Sequence, residues 1–355
     1  MIEQKNALAQ KQRIIYFDVL RIAATLGVML LHISSQNWSV TNVTSFQWQT
    51  FNFFDSIVRW TVPIFVMISG ALFLDRDISI GKIFKNNIFR IITAFLFWSV
   101  LYAGVSFAQG TSFKKACLQV VQGHFHMWFL FMIVGLYLIV PFVKKIIESE
   151  ALVKYFFALG LIFTFIIPQG IAILNLVNGT LGKTANSIVA NINFHFTLGY
   201  IFYFILGYYL SKVDLSKKMR VIIYCLSAIG FLCTILGTLF VSIYSDGPKQ
   251  TFYGYLTLNV LLESLGVFVF FKYNLNLIHM SEKLQNIVAK LSKYSFGAYL
   301  AHLMVIEQLK KLAGLTTLSF NPILSIAVIL VIVSVVSFAV SWICNHIPFL
   351  NKYIV

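Results

Sequence analysis

Two side chains that can bind anions and move protons lie in one apolar stretch, Tyr16 to Ser34. They are Arg21 and His32. A separation of 11 residues is about three turns of an α-helix, which places both side chains on one face, roughly 16 Å apart along the axis. A guanidinium is always charged and suits anion binding, whereas an imidazole exchanges protons near neutral pH. Because ionisable groups within membrane helices usually face an interior cavity, the pair predicts a polar passage.

Each of these residues also has a purely structural interpretation. Arg21 can extend to the membrane surface or pair with Asp18, and His32 can mark the membrane interface. Arg59 lies in the next apolar stretch, where it can bind an anionic group or a developing oxyanion. It can equally contact a backbone carbonyl or Glu263.

The overall composition identifies the setting of these residues as a membrane. Hydrophobic residues make up 59% of the 355 residues, charged residues 11%, and the mean hydropathy is +0.84, which excludes a soluble globular protein. The net charge of +15 is better explained by basic loops that set membrane orientation than by nucleic-acid binding. The four cysteines lack the spacing of metal ligands, so no metal site is predicted.

Long apolar stretches predict an all-α integral membrane protein with about ten transmembrane helices. They lie near residues 15–33, 52–74, 88–108, 127–143, 153–173, 195–211, 221–243, 256–271, 294–312 and 322–343. Lys and Arg number 19 on the side of the N-terminus and six on the other side, so both termini are predicted to be cytoplasmic. The predicted divisions are a cytoplasmic segment 1–14, a membrane domain 15–343 and a cytoplasmic tail 344–355.

Four motifs occur in order along these predicted spans. Beside Arg21 and His32 they are RWTVPIFVMISGALFL from Arg59, HMWFLFMIVGLYLIVP from His126, and YSFGAYLAH, which ends at His302. Through these motifs the sequence resembles the acyltransferase-3 family of integral membrane acyltransferases. Besides the residues just named, the matching positions are Pro63, Phe65, Ser69, Gly70, Trp128, Phe129, Leu130, Ser295, Phe296, Gly297, Tyr299 and Leu300.

The resemblance implies transfer of an acyl group, commonly acetyl from acetyl-CoA, to an extracytoplasmic acceptor that is usually a cell-surface carbohydrate. Acetyl-CoA is then a donor substrate, and no permanently bound cofactor is implied. In this interpretation His32 is the general base, Arg21 binds and positions CoA, and His126 shares the site from the start of the fourth span. The expected partners are acyl-CoA, a glycan or glycolipid, and the lipid bilayer of a bacterial cytoplasmic membrane.

Further substrate-binding candidates each carry an alternative explanation. Lys82, Lys85 and Arg90 suit the phosphates of CoA but also fit ordinary cytoplasmic loop charge. Trp128 is a further candidate, and beside it His126 can equally belong to an interfacial aromatic belt. Ser69 with the next glycine can allow close helix packing. His302 can serve a structural hydrogen bond near mid-membrane.

Two other classes of function fit the same bundle. The first is a transporter or exporter of a polysaccharide or lipid-linked sugar, with Arg21, Arg59, Glu263 and His302 along its path. The second is a sensor or membrane-docked partner without chemistry. The motif residues weigh against both classes. Consumption of acetyl-CoA by the solubilised protein would distinguish an acyltransferase from a transporter, which should not consume it.

Overall fold

The computed structural model describes residues 14–77, 79–192, 199–275 and 280–355. Within these ranges all regular structure is helical, which confirms the predicted all-α class. Residues 1–13 of the predicted N-terminal segment lie outside the described residues, as does the start of the predicted span 195–211.

Fifteen helices carry labels here, in chain order. They are α1 (Ile15–Ser34), α2 (Phe46–Ser56), α3 (Thr61–Phe73), α4 (Phe89–Ala108), α5 (Phe113–Gln122), α6 (Trp128–Ile147), α7 (Glu150–Gly160), α8 (Ile167–Val177), α9 (Gly179–Ile192), α10 (Ile201–Lys212), α11 (Lys217–Tyr244), α12 (Leu258–Asn274), α13 (Glu282–Ala313), α14 (Pro322–His346) and α15 (Pro348–Tyr353). A helical turn (Ile80–Lys82) and a π-helix (Ile83–Ile88) lead into α4, a second π-helix (Leu161–Ile166) joins α7 to α8, and a 3₁₀ turn (Phe125–Met127) precedes α6.

Seven helical segments in the described ranges are long and apolar enough to cross a membrane. They are Ile15–Ser34, Phe46–Phe73, Ile80–Ala108, Phe113–Ile147, Glu150–Val177, Lys217–Tyr244 and Pro322–His346. Each contains most or all of one predicted span. The other three predicted spans fall on α10 and α12, which have 12 and 17 residues, and on α13, whose ends carry charged residues. The count of ten and the cytoplasmic placement of the termini therefore stay predictions.

Helix ends follow recognisable local chemistry. The Ser281 side chain accepts a hydrogen bond from the Leu284 backbone N–H and begins α13, and Ser216 caps α11 in the same way. Helix α13 ends at Gly314, whose φ of +64° lies in the left-handed region that favours glycine. These caps fix the length of α13, which carries a large share of the site.

Helix α1 occupies the centre of the bundle. It packs against α2, α3, α12, α13 and α14. The side of the bundle on which α1 begins is called the near side here, and the side on which it ends is called the far side. One apolar core surrounds Leu20 and Ala24 in the near half of α1, and a second surrounds Met29 and Ile33 in the far half. This central position places Arg21 and His32 inside the protein.

The last residues pack onto the bundle. Helix α14 continues to His346, into the segment predicted as a tail, and α15 then contacts α4. The Thr93 hydroxyl donates to the Tyr353 main-chain oxygen over 2.7 Å, and the side chain of Val355 is buried.

Candidate active site

A cavity of about 420 Å³ opens on the near side of the bundle. Its lining brings together Arg21 from α1, Arg90 from α4 and Lys293 from α13. No carboxylate occurs among the described residues that line it. Three cations around a polar cleft favour an anionic ligand electrostatically, although the Arg90 guanidinium also donates to the Val355 main-chain oxygen.

Arg21 is held at the wall of this cavity by two contacts. Its Nη1 donates to the Ser292 hydroxyl over 3.0 Å and lies 3.8 Å from Asp18 Oδ1. The pairing with Asp18 suggested by the sequence therefore exists, yet 29% of the Arg21 side chain remains exposed. The guanidinium is oriented by these partners while part of it still faces the cavity.

The other near-side residues predicted to bind substrate differ in whether they line this cavity. Ser69 and Arg90 line the cavity, and the π-helix before α4 adds Asn86 and Asn87 to its wall. Lys82 and Lys85 are exposed and do not contribute to the lining. The Ser69 hydroxyl donates to the Phe65 carbonyl over 2.7 Å.

Three aromatic rings close the far end of the cavity. The ring centroids of Phe65, Phe129 and Tyr299 lie 5.9 to 6.3 Å from one another, which is contact distance for aromatic side chains. Thr25 and Val28, between Arg21 and His32 on α1, are buried. The polar passage predicted along α1 is thus interrupted at this level.

Three histidines meet directly beyond the Tyr299 ring. The His302 ring lies 5.2 Å from that of His32 and 5.4 Å from that of His126, between ring centroids. Tyr299 is 5.5 Å from the His126 ring and 5.7 Å from the His302 ring, so it borders both the cavity and the cluster. This group, His32, His126 and His302, is called the histidine cluster below.

The parallel course of α1 and α13 builds this arrangement. Arg21 contacts Ser292 at the near end, and His32 contacts His302 towards the far end. His302 therefore sits with the other two histidines. One of its ring nitrogens does make the predicted structural hydrogen bond, since Nδ1 lies 2.5 Å from the Tyr299 carbonyl.

The free nitrogens of the cluster can accept protons. Because Nδ1 of His302 donates to a carbonyl, its Nε2 carries a lone pair, and this buried atom has no partner among the described residues. The His32 ring is partly exposed and makes no hydrogen bond to any described residue. The cluster thus offers neutral imidazoles in a mostly buried setting.

Two members of the site were missed by the sequence analysis. His124 Nδ1 lies 3.0 Å from His126 Nδ1, and His124 Nε2 lies 3.0 Å from Glu307 Oε1. The HFH pattern at 124–126 was a signal for His124. The pairing with Glu307 spans 183 residues, so sequence spacing carries no sign of it.

Arg59 lies in the far half, held by a buried network. Its Nη2 is 2.6 Å from Asp55 Oδ2, and Nη1 donates to the Tyr253 carbonyl over 3.2 Å. The guanidinium carbon lies 3.8 Å above the centre of the Tyr253 ring. The carbonyl contact was anticipated, whereas Glu263 instead accepts a hydrogen bond from the Thr234 hydroxyl. Arg59 Nε is buried without a partner among the described residues, so one donor is unused.

Trp128 belongs to an aromatic group on the far side. Its ring stacks on Tyr255 at 5.9 Å between centroids and lies 5.6 Å from the Tyr200 ring. The tryptophan is 38% exposed and does not line the near-side cavity. It can therefore contact a far-side ligand but not one held in that cavity.

Comparison with known proteins identifies the family of the chain. A family model described as an acyltransferase domain, Acyl_transf_3, matches residues 14–346, nearly the whole chain. No curated protein and no solved structure matches the sequence. The match includes the cavity-lining residues and the histidine cluster, and the chain belongs to the acyltransferase-3 family of membrane acyltransferases.

Proposed function

We propose that the protein moves an acyl group, acetyl in the first instance, from cytoplasmic acyl-CoA to a hydroxyl of an extracytoplasmic cell-surface carbohydrate. The near side is then cytoplasmic, and the membrane is a bacterial cytoplasmic membrane. The observation that carries the proposal is the pairing of a cationic near-side cavity with a histidine cluster across one shared residue, Tyr299.

The cavity suits the donor because coenzyme A is a polyanion. Arg21, Arg90 and Lys293 can neutralise its phosphates, and Arg side chains also hydrogen-bond phosphate oxygens in pairs. Lys82 and Lys85 fit a more distant, steering role in this proposal, because they stand outside the lining. In this proposal the three rings that close the far end of the cavity move apart when the donor binds, so that the thin pantetheine arm passes Tyr299 and brings the thioester to the cluster.

The histidine cluster suits proton transfer from the acceptor. The acceptor oxygen attacks the thioester carbonyl carbon while an imidazole nitrogen takes the hydroxyl proton. We assign that role first to His32, because its ring is partly exposed and its nitrogens are not engaged by described residues. The C–S bond then breaks, and the thiolate takes up the proton, so the products are the ester and CoA thiol.

Arg59 fits a supporting role at the same level. Its buried Nε–H has no partner among the described residues and can donate to the developing oxyanion. Trp128 offers an exposed ring face against which the apolar face of a sugar can pack. His126 and His302 complete the wall around the reacting atoms.

The test is release of free thiol from acetyl-CoA by the purified protein in nanodiscs, with candidate surface glycans present. We expect turnover by the wild type, loss of rate with retained CoA binding in His32→Ala, and weakened CoA binding in Arg21→Ala. His346→Ala is the matched control, since this exposed histidine lies outside the cavity and the cluster.

A different result discriminates the alternative. If the wild type neither binds nor consumes any acyl-CoA, the acyltransferase proposal is wrong for this chain. That result would favour the transporter interpretation, in which the near-side cavity is the entry site for an anion. Equal rates for His32→Ala and His346→Ala would remove His32 from the mechanism.

A further inference from the structure

His124 stands between the histidine cluster and the far surface. Its ring is stacked on Tyr102 at 4.4 Å between centroids, with the two planes 22° apart. The side chain is 19% exposed, and that of Glu307 is 49% exposed. His126, on the other side of His124, is 1% exposed. Glu307, His124 and His126 thus form a line from the protein surface to a buried imidazole.

The hydrogen bonds along this line determine where each proton sits. An ionised carboxylate only accepts, so the 3.0 Å contact with Glu307 requires a proton on His124 Nε2. Neutral His124 then has a lone pair on Nδ1. With both rings neutral, the 3.0 Å contact between the two Nδ1 atoms uses a proton carried by His126. A neutral His126 with its proton on Nδ1 has its lone pair on Nε2.

This order of hydrogen bonds favours the uptake of a proton by His126. When His126 Nε2 takes up a proton, the His126 ring becomes a cation whose Nδ1–H still donates to His124. That hydrogen bond becomes charge-assisted, and the carboxylate of Glu307 lies at the end of the same chain. The backbone of His126 is held by Tyr299, whose hydroxyl donates to the His126 carbonyl over 2.6 Å, and the two rings are 5.5 Å apart between centroids.

We propose that Glu307 and His124 are positioning residues that hold His126 in the tautomer with a proton on Nδ1, so that Nε2 accepts a proton during acyl transfer. This inference rests on the proposed function. It makes His126 an alternative to His32 as acceptor of the single hydroxyl proton, which returns to the thiolate when the C–S bond breaks. Neither Glu307 nor His124 needs to touch either substrate.

The kinetic test is a double-mutant cycle in nanodiscs. We expect Glu307→Ala to lower kcat about tenfold, the lower end of the loss that follows removal of a partner orienting a metal-ligating histidine. Its KM for acetyl-CoA should stay within about twofold, because Glu307 is absent from the cavity lining. In a His126→Ala background, Glu307→Ala should cost nothing further, since the residue through which it acts is gone.

Gln308→Ala is the matched control for the same turn of α13. Its amide pairs with Gln109 over 3.4 Å, outside the cluster. A Glu307→Ala rate equal to that of Gln308→Ala, or an equal loss in both backgrounds of the cycle, would overturn the positioning role.

The tautomer gives a readout that does not need activity. Solid-state ¹⁵N NMR of histidine-labelled protein in bilayers should show His126 protonated at Nδ1 in the wild type, with this preference weakened in Glu307→Ala. Assignment of the proton to Nε2 in the wild type would refute the inference even if acyl transfer occurs. If no acyl-CoA is consumed, the proposed function fails while the NMR result still decides the tautomer.

Discussion

Two glycines set the distance between α3 and α10. A Cβ atom added at Gly70 would lie 1.8 Å from the Phe204 main-chain oxygen, and one added at Gly207 would lie 2.0 Å from the Met67 main-chain oxygen. Both obstructing atoms belong to the backbone, so no side-chain rotation relieves the overlap. The two helices therefore touch across a reciprocal pair of glycines, as small residues allow in membrane bundles.

The overlap converts into an expected loss of stability. Contacts of a Cβ closer than 3.0 Å essentially do not occur, so Gly70→Ala must separate the backbones by about 1.2 Å. Overpacking of this kind costs about 1–3 kcal/mol, and fully buried Met67 and Phe204 put this site at the upper end. A loss of about 3 kcal/mol corresponds to a fall in Tm of roughly 5 °C for a chain of this size.

Activity should fall together with stability. Helix α3 carries Phe65 and Ser69, both of which line the cavity. A displacement of about 1 Å at a positioning element can cost about 100-fold in rate. We therefore expect Gly70→Ala to lose most acetyl-CoA turnover at a temperature at which it is still folded.

Thermal unfolding in nanodiscs and thiol release measure the two effects. Gly135→Ala on α6 is the matched control, because a Cβ there meets nothing within 4 Å. The double variant of Gly70 and Gly207 should cost less than the sum of the singles, since one separation relieves both overlaps. An unchanged Tm in Gly70→Ala, or full additivity in the double variant, would refute the close approach.

Three further substitutions test other parts of the site. Asp55→Ala leaves the Arg59 charge buried without its partner and should lower the free energy of unfolding by about 3–5 kcal/mol, as measured by thermal unfolding. Asp55→Glu keeps a carboxylate and should lower it much less. Phe129→Ala removes one of the three rings that close the far end of the cavity and should raise turnover of branched isobutyryl-CoA relative to acetyl-CoA; an unchanged ratio would argue against selection by these rings. Arg90→Gln should raise KM for acetyl-CoA about tenfold, whereas Lys85→Gln, which removes only a steering charge outside the lining, should raise it much less; the reverse order would mean that the donor binds elsewhere.

The sequence predicted those helices best whose apolar runs are long and uninterrupted. The predicted span 15–33 corresponds to Ile15–Ser34, and 221–243 corresponds to Lys217–Tyr244. Composition failed where a helix is short or mixed in polarity. Helices α5 and α9 lie between predicted spans, where the sequence predicted no helix, because neither has the length or hydropathy of a span by itself. The near half of α13 was missed for the same reason.

The site was predictable only as a set of motifs. The motifs identified His32, His126 and His302, and the structure brings these three together from separate elements. Helical periodicity alone placed Arg21 and His32 on one face of α1 that is directed into the bundle. It gave no information about the rings of Phe65, Phe129 and Tyr299, which lie between them. The contact of His124 with Glu307 depends on the packing of α13 beside the 3₁₀ turn, which no local pattern encodes.

The distribution of charge explains why an apolar helix tolerates both an arginine and a histidine. A buried guanidinium is costly unless it is paired, and Arg21 and Arg59 each have a carboxylate and an oxygen acceptor on a neighbouring element. An imidazole can instead be buried neutral, so the histidine cluster needs no counterion among its own members. Fixed positive charge is thus available in the cavity, where a phosphate-bearing donor would bind. Exchangeable protons are available beyond Tyr299, where a hydroxyl would react. This separation follows from the solvation cost of each group, and it places the two kinds of chemistry at opposite ends of one face of α1.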